Sequence, residues 1–258
     1  MRAHIDRFFL IFAMLCIPFS AYAEELGKSF KEDFDELDTE KWYISDGWRN
    51  GEYQNCLWNS DQVNVRGGKL ILGFDRSGGG PLRYKCGELR TYQSYGYGLF
   101  EARIKTGQGS GLNAAFFTYI GPSNNKPHDE IDVEILTKDT NSVSFNTYVS
   151  GEPHHGKEVP LQNPTHTSFN IYSMLWTPRE IRWYVNGEFV HKTIGTRYLP
   201  THPQKIFASL WGSDTNIEWM GEFRPVTRRI TMEIDWIAYT SLSDSCQFDA
   251  SVMCDLRQ

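Results

Sequence analysis

The sequence has no long run of one charge, no internal repeat and no low-complexity linker. Nothing therefore divides it into separate domains. It also has no CxxC pair and no Cys/His cluster, which removes the usual zinc spacings. No stretch shows the periodicity of an amphipathic helix. Positive charge is in deficit: 26 Lys and Arg against 32 Asp and Glu leave a net charge of -6, which argues against nucleic acid and anionic membrane surfaces as partners. The apolar run from Phe8 to Ile17 is too short to span a bilayer. Arg2 and Arg7 precede it and Ala21-Tyr22-Ala23 follows it, so residues 1–23 read as a secretory signal peptide. A lipoprotein reading of Cys16 fails because Met14 and Leu15 stand where small residues are wanted. The mature chain then starts at Glu24, is secreted (extracellular or periplasmic), and has no membrane contact after cleavage.

Four cysteines remain beyond the leader: Cys56, Cys86, Cys246 and Cys254. An even count in an exported chain reads as disulfides. Aromatic residues make up 14%, with 8 Trp and 13 Tyr, more than a core needs and well suited to stacking on sugar faces.

Short strands dominate the rest. Glu24 to Asn50 reads as a leading strand and a loop. Lys69 to Phe74 is a strand behind the Gly67-Gly68 turn, and Asn186-Gly187 turns a hairpin between Ile181–Val185 and Glu188–His191. Leu99 to Lys105 alternates, with Phe100, Ala102 and Ile104 inward and Glu101, Arg103 and Lys105 toward water. Ala114–Tyr119, Ser142–Tyr148, Lys205–Trp211 and Ile230–Tyr239 are further strands. His154 and His155, among Gly151, Pro153 and Gly156, read as an exposed loop, with a metal site as the alternative. About a dozen short strands without helices predict an all-β protein of two packed antiparallel sheets.

One strand stands out. In His128-Asp129-Glu130-Ile131-Asp132-Val133-Glu134-Ile135-Leu136, period-two alternation puts Glu130, Asp132 and Glu134 on one face and Ile131, Val133 and Ile135 on the other. A solvated sheet edge or a calcium site would also alternate in this way. Three like charges in a row, however, gain nothing from a sheet, and such a cost points to chemistry.

Glu-Ile-Asp-Val-Glu after Asp129 resembles the catalytic signature of glycoside hydrolase family 16. Other blocks are similar to the bacterial lichenases, the endo-1,3-1,4-beta-glucanases of that family, in the same order: Asp46-Gly47-Trp48-Arg49-Asn50-Gly51, Tyr95-Gly96-Tyr97-Gly98-Leu99-Phe100-Glu101, Phe116 to Pro122, Ile181 to Gly187 and Asp235-Trp236. The similarity runs from about Phe30 to Ser241, which makes 24–241 the catalytic domain and 242–258 a C-terminal tail.

The resemblance implies a concanavalin-like jelly-roll sandwich with a concave cleft, acting on polysaccharide as a monomer and with no cofactor in catalysis. It assigns Glu130 as nucleophile, Glu134 as general acid/base and Asp132 as the assisting carboxylate. Retaining hydrolysis needs the two carboxyl groups about 5 to 5.5 Å apart, whereas Cα atoms at i and i+4 of a strand lie about 13 Å apart. The long Glu side chains must then lean together. Neighbouring carboxylates cannot both ionise freely, so one keeps its proton near neutral pH. The resemblance places Asn50, Glu88, Arg90, Phe117, Tyr119, His128, Asn146, Tyr148 and Trp211 at the substrate, although Glu88 and Arg90, two apart on one strand face, also suit a surface ion pair. It pairs Cys56 with Cys86 and leaves the pairing of Cys246 and Cys254 open. It also implies a structural Ca2+ at Asp235 with Asp33 and Gly68, tying the sheets together without entering the chemistry.

The expected activity is that of a retaining endo-beta-glycanase; a transglycosylase and a non-catalytic sugar-binding module are the alternatives. Three cleft positions depart from the lichenases: Gln54 for Phe, His128 for Trp, and Ser209 for Asn. Losing aromatic platforms weakens stacking on bare glucose rings. A branched bacterial exopolysaccharide such as succinoglycan is therefore expected to be a better substrate than cereal-type glucan.

Overall fold

The computed structural model describes residues 25–256, and the expected signal peptide lies outside them. The strands are β1 (Phe30–Glu32), β2 (Trp42–Ile44), β3 (Cys56–Trp58), β4 (Val63–Val65), β5 (Leu70–Arg76), β6 (Tyr84–Thr91), β7 (Gly98–Thr106) and β8 (Leu112–Ile120). There follow β9 (Asp129–Leu136), β10 (Ser142–Val149), β11 (Glu152–Pro160), β12 (Asn170–Trp176), β13 (Glu180–Val185), β14 (Glu188–Ile194), β15 (Lys205–Gly212) and β16 (Ile230–Ser241). Two short α-helices, α1 (Ile217–Met220) and α2 (Val252–Leu256), and three 3-10 turns, Ser60–Gln62, Pro122–Asn124 and Thr196–Tyr198, complete the described elements. Neither α-helix is long and apolar enough to cross a membrane.

One layer runs β11-β10-β9-β8-β15-β6, and the other runs β5-β16-β7-β12-β13-β14. β6 joins them: residues 84–86 pair with β5, and residues 87–90 pair with β15. All pairings are antiparallel except that of β3 with β6. The alternation of β9 sends Ile131, Val133 and Ile135 into the core between the layers, where they join Phe116, Phe145, Phe100 and Trp183. Trp183 of β13 donates from Nε1 to the carbonyl oxygen of Asp132 at 3.1 Å, so the far layer grips the backbone of the acidic strand directly.

Several expectations change. The leading segment forms two strands, β1 on β16 and β2 on β6. His154 and His155 lie in β11 and flank Tyr198, with ring centroids 4.9 and 4.6 Å away. Glu101, expected to face water, is fully buried. The tail folds back over it: Ser251 Oγ donates to Glu101 Oε2 at 2.5 Å, the Val252 amide to Oε1 at 3.1 Å, and Ser173 Oγ to Oε1 at 3.0 Å. Val252 and Met253 pack on Leu99, Leu175 and Tyr184. Disulfides join Cys56 to Cys86 and Cys246 to Cys254.

Candidate active site

The same alternation that buries three aliphatics of β9 lays its acids along the floor of a cleft of about 920 Å³. Register then decides the neighbours of each acid. Glu130 lies between Tyr119 of β8 and Tyr148 of β10, Asp132 between Phe117 and Asn146, and Glu134 between Ala115 and Ser144. On the far side of β8, β15 adds Lys205, Phe207, Ser209 and Trp211, and β6 adds Glu88 and Arg90. Phe117 stacks on Phe207 at 4.9 Å.

Each acid has its own environment. His128 Nε2 lies 2.6 Å from Glu130 Oε2, while the His128 ring stacks on Tyr148 at 5.1 Å and meets Tyr119 edge-on at 5.1 Å. The Glu130 hydrogen bond is the main cause that raises the His128 pKa. Asp132 is buried, and its pKa is pushed well up, first by burial and then by the charges of Glu130 and Glu134. Its Oδ2 has no donor. A protonated Asp132 resolves this by donating its own hydrogen to Glu130. Glu134 keeps part of its surface on the cleft, yet protein atoms enclose its carboxyl group. Burial raises its pKa to about 8 against the donation from Asn113 Nδ2 to Oε1 at 2.9 Å, with the Glu130 charge adding to the rise.

Glu88 is buried rather than part of a surface ion pair. Ser45 Oγ donates to its Oε1 at 2.6 Å, and burial raises its pKa to about 7. Arg90 lies over the Tyr43 ring at 4.3 Å. Of the expected substrate contacts, Asn50, Glu88, Arg90, Phe117, Tyr119, His128, Tyr148 and Trp211 line the cleft. Asn146 does not. Its Oδ1 accepts from the Thr147 amide instead.

Gln54 also leaves the cleft. It is fully buried behind the disulfide, donating to the Cys56 carbonyl at 3.1 Å and accepting the Asn50 amide at 3.1 Å. Its neighbour Tyr53 takes the wall position, 41% exposed and edge-on to Trp211 at 5.7 Å. Burial, then the charges of Glu130 and Glu88, raise the Tyr53 pKa, so its hydroxyl stays a neutral donor. Sequence reasoning also missed Trp48, Trp219 and Asn113 in the lining. Asn113 could have been found by parity, since it shares a strand face with Ala115, Phe117 and Tyr119.

The proposed calcium set is drawn together by strand register. Glu32 pairs with Ile237 and Leu70 with Ile234, which brings Asp33, Gly68 and Asp235 to one corner. Asp235 stands at the register break of β16 against β7. One of its oxygens accepts from Arg103 at 2.5 Å, and Asp33 pairs with Lys31. The described residues contain no cluster of three or more His, Cys, Asp or Glu side chains that could hold a metal ion.

An open groove, a floor of carboxyl groups of which Asp132 and Glu134 are held protonated at neutral pH, and aromatic walls define the site of a glycoside hydrolase. Residues 50–238 match glycosyl hydrolases family 16. An endo-1,3-1,4-beta-glycanase, ExoK, of Rhizobium meliloti (strain 1021) is 47% identical over 231 residues, covering 90% of this chain and 86% of that protein. A beta-glucanase of Bacillus licheniformis is 36% identical over 231 residues, covering 89% of this chain and 93% of that protein. The solved Bacillus licheniformis beta-glucanase structure superposes with a TM-score of 0.79 at 36% identity, over 84% of this chain and 100% of that one. The chain belongs to glycosyl hydrolases family 16, and its sandwich is the jelly roll of that family.

Proposed function

We propose that this chain is a secreted, monomeric, retaining endo-beta-glycanase that cleaves internal bonds of a beta-1,3/1,4-linked glucan or a related bacterial exopolysaccharide such as succinoglycan. The observation that carries the reading is the pair of unlike carboxyl groups on one strand face: Glu134 holds a proton to about pH 8, while Glu130 is held by His128. Glu130 attacks the anomeric carbon as Glu134 protonates the departing oxygen, giving a glycosyl ester. Esterification removes the charge of Glu130, so the pKa of Glu134 falls and it can accept a proton from the attacking water. Asp132, protonated, donates to Glu130 before and during the attack. Tyr53, Trp48, Trp211 and Trp219 offer rings to the sugar chain.

Glu130→Ala should abolish turnover of every substrate. Glu134→Ala should retain the first step on substrates with good leaving groups, and added azide should give a beta-configured glycosyl azide. An alpha-configured azide would reverse the assignment. Counting reducing ends separates hydrolysis, which raises them, from transfer, which does not.

With Gln54 outside the cleft and Tyr53 in the wall, the preference for a branched exopolysaccharide rests on His128 and Ser209. The expected result is a higher kcat/KM on such a polymer than on lichenan, shifted back by His128→Trp; equal or better cleavage of lichenan by the unmodified protein ends this part of the proposal. A structural Ca2+ held by Asp235 with main-chain oxygens near Asp33 and Gly68 belongs to the same reading. It would link three segments of the sandwich without touching the chemistry, and a chelator should lower Tm while leaving the catalytic groups intact.

A further inference from the structure

Asn113 stands near the start of β8, opposite Leu136 of β9 and Trp211 of β15, and is almost wholly buried beneath the cleft. Its Nδ2 donates to Oε1 of Glu134 at 2.9 Å. Its own Oδ1 is buried with no hydrogen-bond partner in the protein. An amide that is only half satisfied in a dry position carries a desolvation cost that an apolar residue of the same shape would avoid. Its single side-chain hydrogen bond points at a reacting carboxyl.

We propose that Asn113 is a positioning residue for glycosidic cleavage: by occupying Oε1 of Glu134 it confines the exchangeable proton to Oε2. The proposal rests on Glu134 being the acid/base. A carboxylic acid has one carbonyl-like oxygen that accepts and one hydroxyl oxygen that donates, so an amide N–H at Oε1 marks Oε1 as the acceptor. In the first step the proton on Oε2 passes to the glycosidic oxygen. That oxygen leaves C1 with the bonding pair as an oxygen of Glu130 bonds to C1. In the second step the water oxygen bonds to C1, the ester bond to Glu130 breaks, and the water proton returns to Oε2. The Asn113 contact suits both stages, because Oε1 accepts in the acid and in the carboxylate alike.

The electrostatic surroundings agree. The charge that acts on Glu134 is that of Glu130 on its own strand. The other titratable groups facing it, the buried Asp132 on β9 and the Tyr148 phenol on β10, are pushed toward their neutral forms, and Asn113, Ala115 and Trp211, from the elements on its other side, carry no charge. The Asn113 bond is the influence that lowers the Glu134 pKa against burial. Removing it should raise that pKa further.

The test compares Asn113→Leu and the isosteric Asn113→Asp with the unmodified enzyme. Tm and kcat/KM against pH are measured on a soluble beta-glucan and on an aryl beta-oligoglucoside whose leaving group needs no proton. Asn113→Leu should keep or raise Tm, because an unsatisfied polar atom is lost. Its kcat/KM on the polymer should fall about tenfold, part of the ~10² to 10⁴ that a positioned acid contributes, with the basic limb moved to higher pH. Cleavage of the aryl substrate should be unchanged, and Asn113→Asp should lose at least as much activity on the polymer. A basic limb that stays in place, or losses that are equal on both substrates and accompanied by a lower Tm, would overturn the proposal. Glu134→Ala separates the two assignments: if that variant keeps the basic limb, the role of Glu134 is wrong, whereas its disappearance together with an unmoved limb in Asn113→Leu condemns the role of Asn113 alone.

Discussion

At the scale of the residue, the cleft depends on which single atoms meet. His128 combines a flat stack on Tyr148 with a bond to Glu130, and the two can be separated. His128→Phe keeps a ring over Tyr148 and removes the bond. Since a hydrogen bond to a charged group contributes about 1.5 to 3 kcal/mol, kcat should fall by about one to two orders of magnitude while KM changes little. A rise in KM at constant kcat would make His128 a substrate platform instead. Tyr53 and Gln54 teach a related lesson. They are adjacent, so one faces the sugar and the other the disulfide, and a shift of one position exchanges an aromatic wall for a buried amide.

At the scale of the element, the C-terminal tail explains why Glu101 escaped the strand rule. Alternation correctly put Glu101 on the outer face of its layer, but residues 251–253 cover that face and donate two hydrogen bonds to the carboxylate. Ending the chain after Leu242 should therefore uncover Leu99, Leu175 and Tyr184 along with Glu101. Tm should fall and the protein should aggregate on heating, with kcat/KM at low temperature unchanged because the tail lies on the other layer from the cleft. Lost activity in a variant that remains folded by circular dichroism would show that the tail reaches the site.

At the scale of the whole molecule, buried acids tie stability to pH. Folding raises Glu88 from 4.5 to about 7 and Glu134 from 4.5 to about 8, and raises Glu101 and Asp132 as well. The folded chain thus holds protons that the unfolded chain gives up. The sign follows from linkage: this stability is complete below about pH 4.5 and is lost as pH rises through about 7 and about 8. Glu134→Gln should flatten that decline and raise Tm on the alkaline side, the usual exchange of stability for activity at a catalytic group. Equal slopes in the two proteins would refute it. The Cys56–Cys86 ring, of sequence separation 30, contributes about 3 to 4 kcal/mol on the loop-entropy model, so reduction should lower Tm by roughly 10 °C.

The two-sheet class, the acidic face of β9 and its aliphatic back were legible in the sequence, because strand alternation is local and needs no partner to be read. The likeness to known glucanases carried the cleft positions further, to Glu88, Phe117, Tyr119 and Trp211. Three things were decided only by tertiary structure. The tail buried Glu101, the disulfide drew Gln54 inward and turned Tyr53 out, and β8 brought Asn113 beneath Glu134. Each depends on contact between segments far apart in the chain, and neither alternation nor composition encodes which distant segment will cover a given face.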